Sequence, residues 1–271
     1  MSKKHLIGFT LRHEEVKEAT DESPENLCKA APKHSVVSVY FPQKKRSLTY
    51  YNDHFDLKEG SLVFVDGKMA GFSGFVEAVN FNFKIKLSDY QRVIAVADTE
   101  IHGTFHRTRS FALSFDKDAL PKDKIRTWFF PPVDEDETFV CGCDEEFFSL
   151  ADVRHVIHCS SVSNRTYECY HEENVLYLSL YDTEGYAIVM GSRPYEVEFR
   201  YQSGEISGLV CSCYCCNDCS HEYAALLELC EIFKVIQERF ENEYEVSSYF
   251  SAVREDLVMK FIDEEEGLLQ I

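Results

Sequence analysis

The chain has 271 residues and a formal net charge of −19, with 28 Lys and Arg against 47 Asp and Glu. This length predicts one large or two ordinary domains, and 21 Phe and 15 Tyr can fill a sizeable core. No run of about 18 apolar residues occurs, which excludes a membrane-spanning helix. No apolar segment follows the opening Met-Ser-Lys-Lys-His, so we expect no signal peptide and a reducing, cytoplasmic location.

The charge is unevenly distributed between the two halves of the chain. Residues 1–130 contain 20 Lys and Arg and 17 Asp and Glu, a net charge of +3, whereas residues 131–271 contain 8 and 30, a net charge of −22. Proteins bind DNA largely by neutralising its phosphates with basic side chains. The acidic half therefore favours a protein partner over nucleic acid.

The N-terminal part reads as a lead-in segment, residues 1–34, followed by a β-rich domain, residues 35–115. Residues 13–34 are polar and charged, which predicts a short helix or a flexible segment. Five short β-branched or aromatic runs then follow, at Val36–Phe41, Ser47–Tyr51, Leu62–Val65, Phe75–Val79 and Val93–Ala97. Such closely spaced strands, with the turn signal Asp66-Gly67, predict a small antiparallel β-barrel or sandwich.

Residues 48–79, LTYYNDHFDLKEGSLVFVDGKMAGFSGFVEAV, resemble the SH3-like small barrels of bacterial and phage accessory proteins. The likeness covers about residues 35–97 and includes a Tyr-rich strand followed by Leu-x-x-Gly-x-x-Val-x-Val. It implies a surface for protein or nucleic acid and no catalytic chemistry. Under a nucleic-acid-binding interpretation, the basic loop Lys44, Lys45 and Arg46 would contact phosphates.

Residues 116–138 read as a linker, punctuated by Pro121, Pro131 and Pro132. The apolar run Trp128-Phe129-Phe130 within it is expected to pack between domains. Beyond the linker, strands predicted near residues 139–150 and 155–160 open a second domain, residues 139–271. The overall prediction is an α+β fold.

Between Cys211 and His221 the chain reads Cys-Ser-Cys-Tyr-Cys-Cys-Asn-Asp-Cys-Ser-His. Thiolates and imidazole at Cys-x-Cys and Cys-x-His spacing suit a tetrahedral zinc ion. We therefore expect one structural zinc ion per chain, bound by Cys211, Cys213, Cys219 and His221, and its removal is expected to unfold this module. Cys215 and Cys216 create alternative ligand sets, although we expect that they are not both ligands. Cys141-Gly-Cys143 lacks a matching Cys-x-His and is expected to bind no metal.

The segments that flank these ligands predict how the ion would be used. Short strands are expected on both sides of Ser203-Gly204, and Glu222–Leu229 is a strong helix start. The pattern Val210-Cys-Ser-Cys, then Cys219-Ser-His-Glu-Tyr-Ala-Ala-Leu-Leu, resembles the SWIM zinc finger. Upstream strands of that family are similar to residues 165–175 and 186–199, so the likeness covers about residues 150–230. The resemblance implies a zinc-stapled hairpin and helix that contact protein or nucleic acid.

Apolar residues at helical spacing follow the zinc pattern. Leu226, Leu229, Phe233, Ile236 and Phe240 form one stripe, which predicts a helix packed on the core. A second C-terminal helix is predicted over residues 247–263, with Phe250, Val253, Leu257 and Phe261 on one face.

The chain carries no sequence motif of a common enzyme class. A deaminase-like zinc site would need His171-x-Glu173 on a helix and a Pro-Cys pair, but the context of His171 reads as strand and Cys215 replaces the proline. The sequence therefore predicts a non-enzymatic zinc-binding adaptor that contacts an unidentified protein and no membrane. The alternatives are an accessory factor that binds nucleic acid through the N-terminal domain, and a hydrolase with dispersed residues.

Overall fold

A computed structural model describes residues 34–83, 90–132, 147–213, 215 and 218–261 of the protein. These residues belong to one compact unit that spans Pro32–Ile271. The architecture is mixed α+β, with two antiparallel sheets and six α-helices in the described part of the chain. Among these residues, no helix combines the length and the apolar character needed to cross a membrane.

The first sheet contains the five strands that the sequence predicts. They are β1 (Ser35–Phe41), β2 (Arg46–Asn52), β3 (Leu62–Val65), β4 (Ser73–Asn80) and β5 (Val93–Val96), arranged in the order β2-β1-β4-β3-β5. Burial alternates along β1, where Val37, Val39 and Phe41 face the core. This period of two is the pattern of a strand with one covered face.

The closed barrel expected for this region is not seen, because the sheet is open in the described residues. Its edge strands β2 and β5 approach at one isolated parallel bridge, between Tyr51 and Arg92. The chain leaves strand geometry directly afterwards: the Asn52 side chain donates to the Phe55 carbonyl and accepts from the Phe55 amide. β2 therefore has no further residues with which to extend a ladder along β5.

The second sheet has eight strands in the order β6-β7-β13-β9-β10-β11-β12-β8. The strands are β6 (His106–Arg107), β7 (Phe111–Ser114), β8 (Phe148–Ser149), β9 (Val175–Tyr181), β10 (Glu184–Met190), β11 (Pro194–Gln202), β12 (Glu205–Cys211) and β13 (Tyr249–Arg254). β11 and β12 form the predicted hairpin around Ser203 and Gly204, both of which have positive φ.

Helices cover both faces of the second sheet. They are α1 (Lys122–Phe129), α2 (Val153–Cys159), α3 (Ser163–His171), α4 (Ser220–Arg239), α5 (Glu241–Ser247) and α6 (Glu255–Phe261). α4 packs on β9–β12 with α2 and α3 beside it, and its predicted apolar stripe joins that core. On the opposite face Trp128 and Phe129 of α1 share a core with Leu62 of the first sheet.

Three predicted elements differ in type from those observed. Residues 155–160, expected to be strand, lie largely in α2, where Val153, Val156 and Ile157 pack at helical spacing. Residues 165–171, likened to strand, lie in α3. The helix expected over 247–263 is β13 followed by the short helix α6. β13 is buried on both faces, so its apolar residues do not alternate and their spacing matches a helix equally well.

Some helices and strands do not follow the bounds of the segments predicted from the sequence. β6 and β7 come before residue 115 but are hydrogen-bonded into the second sheet, through the pairing of β7 with β13. Residues 122–129 of the expected linker form α1. The lead-in up to residue 33, Cys141 and Cys143 lie outside the described residues.

Candidate metal centre

The Cys and His residues singled out in the sequence lie where β12 ends and α4 begins. Cys211 is the last residue of β12, and Cys213 follows two residues later. Cys219 is the N-cap of α4 and His221 is the second residue of that helix. The end of the hairpin and the start of the helix therefore each bring two candidate ligands to one place.

The four side chains form a cluster of the size of a tetrahedral metal site. Their ligand atoms all lie within 4.8 Å of one another. The Cys213 and Cys219 sulfurs are 3.4 Å apart, and the Cys219 sulfur is 3.5 Å from Nδ1 of His221. A tetrahedron with Zn–S bonds of about 2.3 Å has edges of about 3.8 Å. The cluster can hold a metal ion with small side-chain adjustments.

The imidazole of His221 is fixed in orientation by its neighbours. Its Nδ1 points to the thiols, 3.9 Å from the Cys211 sulfur. The Tyr195 ring packs against the imidazole with a centroid distance of 4.6 Å. Gly191 lies close to both rings, and an added Cβ there would stand 2.6 Å from Nε2 of His221 and 2.9 Å from the Tyr195 ring. The backbone of the β10–β11 turn thus approaches the imidazole more closely than a side chain would allow.

Hydrogen bonds hold the loop that precedes Cys219. The Asp218 carboxylate accepts from the backbone amide of Ser161 at 2.9 Å and from its hydroxyl at 3.1 Å. The Tyr223 hydroxyl donates to the other carboxylate oxygen at 3.2 Å. Asp218 therefore ties the start of α4 to the segment between α2 and α3.

Burial favours the neutral forms of the thiols and the imidazole in this cluster. Cys211, Cys213 and Cys219 are at most 3% exposed. Burial raises the pKa of the Cys213 thiol to about 12. A hydrogen bond between the Cys219 and Cys211 side chains, and secondly burial, raise the pKa of the Cys219 thiol. Burial also lowers the pKa of His221, which keeps its imidazole neutral and able to ligate. A metal ion would displace the thiol protons, so its binding is coupled to pH.

Other cysteines and histidines lie outside this cluster. Cys215 is exposed and is not among the four converging ligands, although its backbone amide donates to the Cys213 sulfur at 3.5 Å. Cys216 lies outside the described residues. Cys169 is buried and its pKa is raised to about 11 by burial and by Cys219. His171, the candidate of the deaminase-like alternative, ends α3 and does not join the cluster either.

The basic loop proposed for phosphate binding is the turn between β1 and β2. Lys44, Lys45 and Arg46 are all exposed, and Lys45 adopts a left-handed conformation with φ of 48°. The Lys44 ammonium lies 4.6 Å above the Phe72 ring. In the described part of the chain, no carboxylate forms an ion pair with these three residues.

A second feature escaped the sequence analysis, an acidic cavity of about 540 Å³ beside the middle of α4. Glu228 lines it, and burial together with Glu231 and Glu173 raises the pKa of its carboxyl to about 7. The available signal was a Glu placed within the otherwise apolar run Leu226–Leu229. Glu173 and Glu231 come from distant parts of the sequence, and only the fold brings them to Glu228.

Comparisons with protein-family models, curated proteins and solved structures find no match to this chain. What is shown is therefore a buried Cys3His cluster that can hold a metal ion.

Proposed function

We propose that this protein is a non-enzymatic adaptor in which a structural zinc ion joins the β11–β12 hairpin to α4. The observation that carries the proposal is the convergence of the Cys211, Cys213, Cys219 and His221 ligand atoms within 4.8 Å. Three thiolates and one imidazole favour zinc over the hard cations calcium and magnesium, which prefer oxygen ligands.

Four protein ligands would close the coordination sphere of the ion. A catalytic zinc ion keeps a position open for water or substrate, whereas a closed site serves to hold the fold together. The nearly complete burial of the three cysteines supports a closed site. The structural role, rather than activation of water, is therefore proposed.

The order of the ligands supports a SWIM-type finger. Cys-x-Cys follows a strand, and Cys-x-His opens a helix after a gap of five residues. This is the arrangement of the SWIM pattern, in which hairpin and helix are fixed to each other by the metal. We propose membership of that class on the ligand pattern and its strand–helix context.

Charge and exposure support a protein partner. Residues 131–271 carry a net charge of −22, and a Cys3His zinc site adds a charge of about −1, so this half opposes binding to phosphates. The first turns of α4 are mostly buried, whereas the turn at residues 191–193 is exposed and lies against His221. We propose that this turn and the hairpin tip near Ser203 contact the partner.

Elemental analysis of the purified full chain tests the metal assignment. We expect about one zinc per chain, lost in a Cys219→Ser, His221→Ala double variant. Cys215→Ser is the matched control, because Cys215 does not join the cluster, and it should retain the metal. Absence of zinc from the wild-type protein, or its retention by the double variant, would refute the assignment.

Affinity capture with the full chain tests the partner class. Extracts are treated with nuclease, and the wild-type protein is compared with the double variant. A protein that binds directly to purified wild-type chain, and at least about tenfold more weakly to the double variant, supports an adaptor. Captured material that disappears on nuclease treatment contradicts it.

The exposed Lys44-Lys45-Arg46 turn favours one alternative, an accessory factor that binds nucleic acid through the first sheet. Its three charges have no carboxylate partner among the described residues. A protein that neutralises several phosphates loses affinity steeply as salt rises. Gel retardation of duplex DNA at about 150 mM salt, abolished by higher salt and by Lys44→Gln with Lys45→Gln, would favour this alternative.

A further inference from the structure

A cavity of about 390 Å³ lies between the two sheets, apart from the metal ligands. The first sheet contributes Leu62 and Phe75, α1 contributes Trp128 and Phe129, and the second sheet contributes Leu176. Cavities of this size with mainly apolar and aromatic walls are typical of sites for small organic ligands. The aromatic walls favour a ligand with a ring, since offset or edge-to-face ring pairs gain energy beyond simple burial.

The polar groups at this cavity indicate the charge of the ligand. None of the described residues that line it is Asp or Glu, although the chain contains 47 of them. Two basic residues, Lys44 and Arg254, line it. The Arg254 guanidinium is already paired with the Asp256 carboxylate at 2.8 Å. Lys44 has no such partner among the described residues, which leaves a single uncompensated positive charge at the cavity.

A second polar side chain, a serine, lines the same cavity. Ser73 is 8% exposed and lines the cavity. No hydrogen bond of its hydroxyl is seen among the described residues, which leaves the hydroxyl available to a ligand in the cavity. Lys44 and Ser73 both line the cavity. A carboxylate could accept a hydrogen bond from both.

We propose that this inter-sheet cavity binds a small aromatic monocarboxylate. Its ring would lie between the aromatic walls formed by Phe75, Trp128 and Phe129, and its carboxylate would contact Lys44 and Ser73. None of the four candidate metal ligands lines the cavity, although Gly191, which packs against His221, does. It gives Lys44 a ligand-binding role that requires no nucleic acid.

Trp128 allows this proposal to be tested directly, because it is the only tryptophan of the chain and lines the cavity. The full chain is titrated with 4-phenylbutyrate and, separately, with the neutral isostere 4-phenylbutyramide. We expect a saturable change in tryptophan fluorescence and roughly fivefold tighter binding of the acid, the size typical of one exposed charge. The zinc content of each sample is measured in parallel.

Two lysines make a matched pair of variants. Lys44→Gln should abolish the preference for the acid over the amide, whereas Lys45→Gln, whose side chain does not line the cavity, should preserve it. Ser73→Ala should weaken binding of the acid by about three- to tenfold. Equal affinity for acid and amide in the wild type, equal effects of the two lysine variants, or no saturable signal would overturn the proposal. Saturable binding to protein that contains no zinc would refute the metal assignment and leave this proposal standing.

Discussion

At the scale of single residues, Gly191 sets how closely the β10–β11 turn can approach the metal centre. Any Cβ at this position would stand 2.6 Å from Nε2 of His221 and 2.9 Å from the Tyr195 ring. Both rings would have to move, although Nδ1 of His221 must stay directed at the thiols. Gly191, which has no ligand atom of its own, thus determines the orientation of the candidate ligand His221.

We therefore predict that Gly191→Ala weakens zinc binding by about 10- to 100-fold, the range typical of changes just outside a coordination sphere. Competition with a chromophoric chelator measures the affinity. Ser192→Ala in the same turn loses only the hydroxyl contact with Tyr195 and should stay within about threefold of the wild type. Unchanged affinity in Gly191→Ala would contradict the inferred constraint.

Glu228 predicts a pH-dependent stability. The pKa of its carboxyl is raised from 4.5 to about 7 in the folded protein by burial and by Glu231 and Glu173; Arg109 and His171 also line its cavity. The folded state thus binds a proton more readily than the unfolded state between these values. Stability is lost as pH rises through that interval.

Glu228→Gln should remove this dependence. Both proteins are compared without metal by urea denaturation. At pH 8 we expect the free energy of unfolding of Glu228→Gln to exceed that of the wild type by roughly 1–3 kcal/mol, and near pH 4.5 we expect this difference to vanish. Glu238→Gln, an exposed position on the same helix, is the control and should match the wild type at both values. An equal difference at both pH values would show that the carboxyl charge is not the cause.

At the scale of elements, α4 connects the metal centre to the main core. Eight of its side chains are buried, including Leu226, Leu229 and Ile236. We predict that Leu226→Ala lowers the free energy of unfolding by about 2–5 kcal/mol, since it leaves a cavity in a closed core. Gln237→Ala, at an exposed position of α4, should change it by less than about 0.5 kcal/mol. Urea denaturation followed by circular dichroism compares the two.

The sequence patterns predicted some elements well and others poorly for identifiable reasons. β1 to β5 alternate or are strongly β-branched, and α4 carries a long apolar stripe, so each pattern admits one interpretation. β13 is covered on both faces, by α4 and by the segment before α1, so its pattern lost the period of two. Tyr177 of the neighbouring strand β9 illustrates how the segment before α1 covers this face of the sheet. Its hydroxyl donates to the Leu120 carbonyl, a contact that no local sequence pattern reveals.

In the candidate metal centre, too, some features could be predicted from the sequence and others could not. Residue type and spacing alone predicted which four side chains converge, because they lie within eleven residues of one another. Tyr195 and Gly191 come from the β10–β11 turn and its following strand, and Ser161 from the segment between α2 and α3. Their contacts depend on the sheet register and on helices that the sequence analysis had assigned as strands.

At the scale of the whole molecule, the packing in the structure leads us to expect a smaller effect of metal removal than the sequence alone predicts. The sequence-based expectation treated the hairpin and helix as an isolated module that unfolds without zinc. In the structure, Cys211, Cys213 and Cys219 belong to one core cluster with Leu178, Val197 and Leu226. Most of that cluster consists of side chains that need no metal to pack.

We therefore predict that chelation loosens residues 211–223 and leaves β9, β10 and β13 ordered. Hydrogen exchange with and without chelator should show lost protection around Cys211 and the first turn of α4 only. The Cys219→Ser, His221→Ala variant should show the same pattern without chelator. Equal loss of protection in β9 would mean that the whole sheet depends on the ion.

The position of β13 within the second sheet bears on how the chain matures on the ribosome. β13 pairs with β7 on one side and β9 on the other, and Phe111 meets Arg254, more than 140 residues later. During translation, the hairpins from β9 to β12 can form as they emerge from the ribosome. Until Tyr249–Arg254 also leaves the exit tunnel, β9 has an unpaired edge, and its residues, which are buried in the folded protein, are exposed. Such an edge pairs readily with other chains. Nascent chains of this protein should therefore need chaperone protection until β13 has emerged and paired.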